Sequence, residues 1–205
     1  MKKFIVLIFT LLASFTASAK TYTFDDLPAP GADGNLIFTY DNLAFDGFGV
    51  PANRYGQIGY IDPTPFLTPG VDYTGFNKNI IFNPYGYQAP NSTIIKLQNL
   101  GAFDFIGGFW SAGVTGDVKI SFEGYKNGQY LFGSDEYLLQ RDVVTPITLN
   151  WFGIDYLNIR SSAAIWVADN LQINAKELSP VPVPAAAWLF GSALLGFVGF
   201  RRKSV

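Results

Sequence analysis

Val118-Lys-Ile-Ser-Phe-Glu-Gly-Tyr-Lys-Asn-Gly-Gln-Tyr-Leu-Phe132 is the stretch on which the fold turns. Val118, Ile120 and Phe122 alternate with Lys119, Ser121 and Glu123, the period-two pattern of a strand with one buried face. Lys126-Asn127-Gly128 then supplies residues that tolerate positive φ, which predicts a tight hairpin returning through Gln129 to Phe132. The same period continues downstream. Ile147, Leu149 and Trp151 alternate with Thr148 and Asn150, and Leu157 and Ile159 flank Asn158. In the last such run Ile165, Val167, Asp169, Leu171 and Ile173 share one face, taken as the core face, so Trp166 points away from it with Ala168, Asn170, Gln172 and Asn174.

Turn signals are frequent, among them Asp33-Gly34, Asp62-Pro63, Pro69-Gly70 and Asn83-Pro84. The region from Asp46 to Pro90 is rich in Gly, Pro, Asn and Tyr, which predicts long loops around two short strands. No amphipathic helix and no repeat of fixed period interrupts the pattern. The expected fold is all-β, an antiparallel β-sandwich of jelly-roll type over residues 20–178.

The two ends differ from this domain. Lys2 and Lys3 precede the apolar run Phe4 to Phe15, and Ala17 and Ala19 bracket Ser18 in the small-x-small pattern of a signal-peptidase site. Residues 1–19 are therefore expected to be a signal peptide and Lys20 the mature start. Residues 179–184 form a proline-rich linker, 185–200 an uncharged apolar helix of roughly 24 Å against a hydrocarbon core of roughly 30 Å, and 201–205 a basic tail. Arg201, Arg202 and Lys203 place that tail in the cytoplasm by the preference of basic flanks, and the domain outside. A simple membrane anchor satisfies the same pattern.

Pro182, Val183 and Pro184, the Trp-Leu-Phe-Gly-Ser run after them and the Arg-Arg-Lys end resemble the PEP-CTERM sorting signal, also catalogued as an ice-binding-protein C-terminal domain. Val183 stands where the name-giving motif has Glu. The resemblance implies handling by an exosortase-like membrane enzyme. The implied route is export, passage through the inner membrane by the C-terminal helix, and delivery to the cell surface or extracellular matrix of a Gram-negative bacterium.

Composition excludes several functions. The chain has no Cys and no His, which removes thiolate and imidazole chemistry, the Ser-His-Asp mechanism and any disulfide framework. All sixteen Asp and Glu but only nine Lys and Arg lie within residues 20–178, a net of −7. An acidic domain without a basic run does not suit nucleic acid. Asp25-Asp26 and Asp135-Glu136 are the only adjacent carboxylate pairs. On a strand such neighbours point to opposite faces, which argues against the convergent pair of a glycan-active hydrolase. No regular threonine ladder suggests ice binding.

Asp169 lies in phase with Val167 and Leu171, and a carboxylate facing a core needs a partner or a cation. If the first and last strands pair, Asp25 and Asp26 could meet it in an oxygen-rich site suited to Ca²⁺. A bulge that turns Asp169 to solvent, or pairing with Arg54, Arg141 or Arg160, accounts for it without a cation. The layout of Thr-Phe-Asp-Asp-Leu at the start, Phe-Glu-Gly-Tyr-Lys-Asn-Gly in the middle and Trp-Val-Ala-Asp-Asn-Leu-Gln-Ile-Asn at the end is similar to jelly-roll carbohydrate-binding modules. That resemblance implies a structural Ca²⁺ between the terminal strands, mapping onto the same three aspartates.

Sugar recognition needs exposed aromatic faces beside fixed polar groups. The expected candidates are Tyr55, Tyr60, Tyr85 and Tyr87 in the loops, with Tyr73 nearby, and Trp166 on the face away from the core. The function expected is that of an exported, non-enzymatic surface or matrix protein that binds polysaccharide or builds structure.

Overall fold

In the computed structural model the chain divides into two units, Met1–Ala175 and Lys176–Val205. The structure describes residues 19–47, 57–76, 78–85, 91–99, 101–114, 116–162 and 164–175, all in the first unit. Ala17, the sorting motif, the apolar run 185–200 and the basic tail lie outside the described residues, as do Tyr55 and Tyr87. Among the described residues no helix is long and apolar enough to cross a membrane.

The described residues form two antiparallel sheets packed face to face, the sandwich expected from the strand pattern. Sheet A takes the order β12 (Thr145–Ile154), β8 (Phe103–Ala112), β14 (Trp166–Ala175), β6 (Ile80–Phe82), β5 (Ile58–Ile61), β2 (Asn35–Ile37), and β1 (Lys20–Tyr22) also pairs with β14. Sheet B takes the order β10 (Gln129–Gly133), β9 (Val118–Lys126), β13 (Tyr156–Ser161), β7 (Asn91–Leu97), β4 (Leu43–Gly47), β3 (Thr39–Tyr40), with β11 (Tyr137–Leu139) also on β9. The β9–β10 hairpin forms as its sequence predicts. Asn127 at φ 51° and Gly128 at φ 75° give the paired positive φ that matches strand twist.

The core lies between the sheets. Phe122 of sheet B meets Trp110 of sheet A edge to face at 5.1 Å, and Trp110 lies 5.2 Å from Trp166. Register explains the row: Tyr60, Ile81, Ala168 and Trp110 are cross-strand neighbours on the inner face of sheet A.

Trp166 corrects the sequence reading, because it is a core residue with no exposed surface. The alternation in β14 is broken by a bulge, marked by the register shift after Asp169 and by Asn170 at φ 51°. One extra residue flips the phase, so Trp166 and Ala168 face inward before the bulge and Leu171 and Ile173 after it. Irregularity crosses the neighbouring strands too, since β12 shifts register between Thr148 and Trp151 with Asn150 at φ 54°. Gly107 on β8 has room for no side chain there, because a Cβ would lie 2.1 Å from the Ile147 carbonyl oxygen.

The outer face of sheet A is covered. Residues 62–76, which leave β5 through a 3-10 turn at Thr64–Phe66, pass over β6, β14 and β8. Gly75 comes so close to the Phe109 ring that a Cβ would sit 2.6 Å from it, and its carbonyl accepts a 2.7 Å hydrogen bond from Asn170 Nδ2. Asp142 fastens the cover from the far side by accepting from Tyr73 Oη at 2.5 Å and Thr68 Oγ1 at 2.8 Å.

Candidate functional site

Among the described residues no segment covers the outer face of sheet B, and its register assembles the most chemically organised surface in the described structure. β9 buries Val118, Ile120 and Phe122, so Glu123 and Tyr125 must point outward. β13 buries Leu157 and Ile159, which turns Tyr156, Asn158 and Arg160 the same way. Pairing of Tyr130 with Tyr125, Tyr125 with Tyr156, and Tyr156 with Lys96 then makes one row across four strands. Tyr125 and Tyr156 stack with centroids 4.5 Å apart and planes 12° apart, while Tyr130 meets Tyr125 at 5.7 Å and 79°. Such pairs add about 0.5–1.5 kcal/mol each beyond burial, so the rings hold one another upright. Tyr130 stays 59% exposed, at the open end of the row.

A polar row runs alongside. Glu123 pairs across the ladder with Asn158, and its carboxylate accepts from Asn158 Nδ2 at 2.8 Å, Tyr125 Oη at 2.9 Å and Arg160 Nη1 at 3.2 Å. Ser92 Oγ donates to Asn158 Oδ1, and Lys96 pairs with Asp46 at 3.4 Å. Burial works to raise the Glu123 carboxyl, but the three donors outweigh it and hold the group below the usual carboxylate range. Burial, then the hydrogen bond to Glu123, pushes the Tyr125 phenol up to about 12. Burial followed by the charge of Asp155 raises Tyr156 as well. Both phenols are neutral donors at ordinary pH, set beside an ionised carboxylate and an exposed guanidinium.

This arrangement suits binding rather than acid–base chemistry. Glycoside hydrolysis needs a carboxyl whose pKa is raised so that it can donate a proton, and Glu123 is shifted the other way. Asp25 and Asp26 take separate partners, Asp25 Oδ1 accepting from the Asn79 backbone N–H at 3.0 Å and Asp26 from the Tyr40 hydroxyl. Glu136 pairs with Lys119 at 3.0 Å on the surface.

Solved structures that the chain resembles, each with a TM-score below 0.5, include carbohydrate-binding modules. The CBM22-1–CBM22-2 tandem domain of Paenibacillus barcinonensis Xyn10C aligns over 82% of this chain at 13% identity with a TM-score of 0.43, and the chain spans only half of that protein's length, 50%. The CBM22-1 xylan-binding domain of the same protein aligns over 78% of this chain and 95% of its own, at 11% identity and a TM-score of 0.38. TmCBM61, solved with β-1,4-galactotriose, aligns over 68% of this chain and 92% of its own, at 8% identity and 0.36. No protein-family model and no curated protein sequence matches the chain.

Most of the expected site residues lie elsewhere. Tyr60 is a core residue, 4% exposed, whose hydroxyl accepts from Asn35 Nδ2 at 3.2 Å. It sits in β5 rather than in a loop, where alternation with Gly59 turns it inward. Trp166 is likewise sealed in the core, so neither ring can stack on a ligand. Tyr85 is half-buried in the turn after β6, and the Tyr73 hydroxyl is engaged by Asp142. The first and last strands do pair, Tyr22 opposite Leu171, as the metal argument required. Asp25, Asp26 and Asp169 nonetheless form no metal-holding cluster, and no group of three such ligands exists among the described residues. Phe24 at φ 59° bends the chain after β1, so the first two aspartates face Asn79 and Tyr40. Asp169 is fully buried at the bulge, where its Oδ1 accepts the Asn170 N–H at 2.6 Å.

The tyrosine row was missed although its signal was present. Once Phe122, Leu157 and Ile159 are placed inward, Glu123, Tyr125, Tyr156 and Asn158 face out by alternation alone. An aromatic residue on the solvent face of a strand is the feature that marks them.

Proposed function

We propose that the folded domain is a non-catalytic polysaccharide-binding module whose binding surface is the outer face of sheet B. The observation that carries this reading is the row Tyr130–Tyr125–Tyr156 set against the hydrogen-bonded row Glu123, Asn158 and Arg160. A glycan offers C–H faces that stack on rings and hydroxyls that need fixed partners; the exposed Tyr130 ring supplies the first, and Arg160 with the edge of Glu123 supplies the second, while the buried Asn158 holds Glu123 in place. The charges along it are balanced, Lys96 with Asp46 and Arg160 with Glu123, which favours a neutral glycan over a polyanion.

The test is titration calorimetry of the full chain with soluble xylan, mixed-linkage β-glucan and galactan, with Tyr130→Ala and Tyr125→Ala as variants. At least one glycan should bind without release of reducing sugar, and the double variant should weaken it at least tenfold, about 1.4 kcal/mol, while the melting temperature stays close to that of the parent. Absence of binding to all three, or binding indifferent to both tyrosines, would remove the proposal.

The proposed setting is the cell surface or matrix, reached by signal-peptidase cleavage at Ala19 and by exosortase-like handling of the Pro182-Val183-Pro184 tail. The supporting features are the basic-apolar-small start and the proline-apolar-basic end. Intact mass of the protein from its host should then show a species beginning at Lys20 and ending near Pro184. A membrane form still ending at Val205 would leave only an anchor.

A further inference from the structure

The cover on sheet A does not seal it. Between residues 62–76 and the strands lies an open groove of about 280 Å³, just below the ~300–1,000 Å³ of small-molecule sites. Its floor is the outward row of sheet A, where Phe82 pairs with Val167 across the ladder and Ile80 with Ile61. Phe66 and Phe76 of the cover form its walls. Glycan hydroxyls would find few partners here, so the groove differs in kind from the tyrosine face.

The polar side chains at its rim are unequal. Tyr73 and Asp142 are engaged with each other and with Thr68, and Ser111 Oγ donates to the Gln140 carbonyl at 3.2 Å. Arg141 stands apart. Its backbone is fixed by a bridge to Ala112 and by its N–H donating to Asp117 at 3.3 Å, while its side chain is 50% exposed. The Nε edge faces Asp142 at 3.8 Å, which is an ion pair without a hydrogen bond, and the Nη atoms of the guanidinium fork have no hydrogen-bond partner among the described residues. Asp33, also at the rim, is exposed to solvent and disfavours a head group of more than one negative charge.

We propose that the groove is a second ligand site, for a medium-length aliphatic carboxylate. The chain lies along Phe82, Val167 and Ile80, and the single carboxylate takes two parallel hydrogen bonds from the Arg141 fork. Burying the chain supplies the affinity, at roughly 25 cal/mol per Å² of apolar surface, and Arg141 supplies the choice of head group. The site lies on the face of the sandwich opposite the tyrosine row and does not depend on the glycan proposal.

Decanoate, decanol and decylammonium, each below its micelle concentration, are the probes, titrated calorimetrically into the full chain. Decanoate should bind saturably at one site, about tenfold more tightly than either of the others, as a charge-assisted bidentate pair allows. Arg141→Gln, a surface change, should erase that preference and leave decanol binding as it was. Val167→Phe, which fills the floor, should abolish decanoate binding, with the melting temperature as a check on folding. The proposal fails if decanoate does not saturate, if the three probes bind alike, or if the preference survives Arg141→Gln. Saturable decanoate binding that survives a folded Val167→Phe would place the ligand elsewhere in the chain and would equally overturn it.

Discussion

The two outer faces of this sandwich follow the same alternation and come to opposite ends. On sheet B the outward side chains are tyrosines and charged groups that meet solvent and bond one another in rows. On sheet A, Phe82, Val167 and Phe109 form an apolar row that residues 62–76 fold over, while Phe152 at the β12 edge stays exposed. Period two states which residues leave the core. The chemistry of those residues and the path of the next segment together decide whether solvent or chain receives them.

The largest effect should come from the core that both faces share. Trp166→Ala removes a fully buried ring packed 5.2 Å from Trp110, and Trp-to-Ala changes of this kind cost about 3–5 kcal/mol. Urea unfolding should show that loss for the whole domain in one transition. A loss under about 1 kcal/mol would mean that the sheets are not coupled through this tryptophan.

A smaller and more local effect separates the faces. Gly75 has φ 106°, a backbone that L side chains rarely adopt, and a Cβ there would enter the Phe109 ring at 2.6 Å. Gly75→Ala should cost about 2 kcal/mol. The damage should appear as faster hydrogen exchange in residues 62–76, while the β9–β10 hairpin keeps its protection. Equal loss in both places would show that the cover is part of the core's cooperative unit, and the contrast between the two faces would then be one of surface only.

The hairpin, the inward faces of β9 and β13 and the two short strands within residues 46–90 were all legible, because each rests on local alternation or turn chemistry. Trp166 and Asp169 were not. Their placement depends on a bulge at Asn170, where β14 shifts register against β8, and nothing in a single strand's pattern marks one extra residue. The aspartate cluster failed for a related reason. The strand pairing it supposed does form, but the positive φ at Phe24 directs Asp25 and Asp26 away from the last strand, and backbone conformation at a phenylalanine leaves no trace in sequence. The tyrosine face was missed from preference for loops over strands, although alternation already placed its tyrosines outward.

The smallest effect is a difference in acid response. Hydrogen bonds from Tyr73, and then Thr68, hold the Asp142 carboxyl below the usual carboxylate range against a weaker effect of burial, with Arg141 adding its charge. Asp62 and Asp72, which cap turns within the cover through Thr64 and Thr74, are held low in the same way. A carboxyl lowered in the folded state contributes stability that is fully present above its unfolded value, near 3.9, and is lost as pH falls through the lower folded value. The cover should therefore loosen in acid. Glu123 on the other face is lowered too, yet its donors are side chains standing on a continuous ladder, so protonation releases those side chains and leaves the strands paired. Corrected for intrinsic rates, exchange in residues 62–76 should accelerate below about pH 4 relative to the β9–β10 hairpin. Asp142→Asn should show part of that acceleration already at pH 6 and respond less to further acid, with the remainder owed to Asp62 and Asp72. If the cover and the hairpin respond to acid alike, the Asp142 tether is not what holds the cover down, and packing of Gly75 on Phe109 must do so alone.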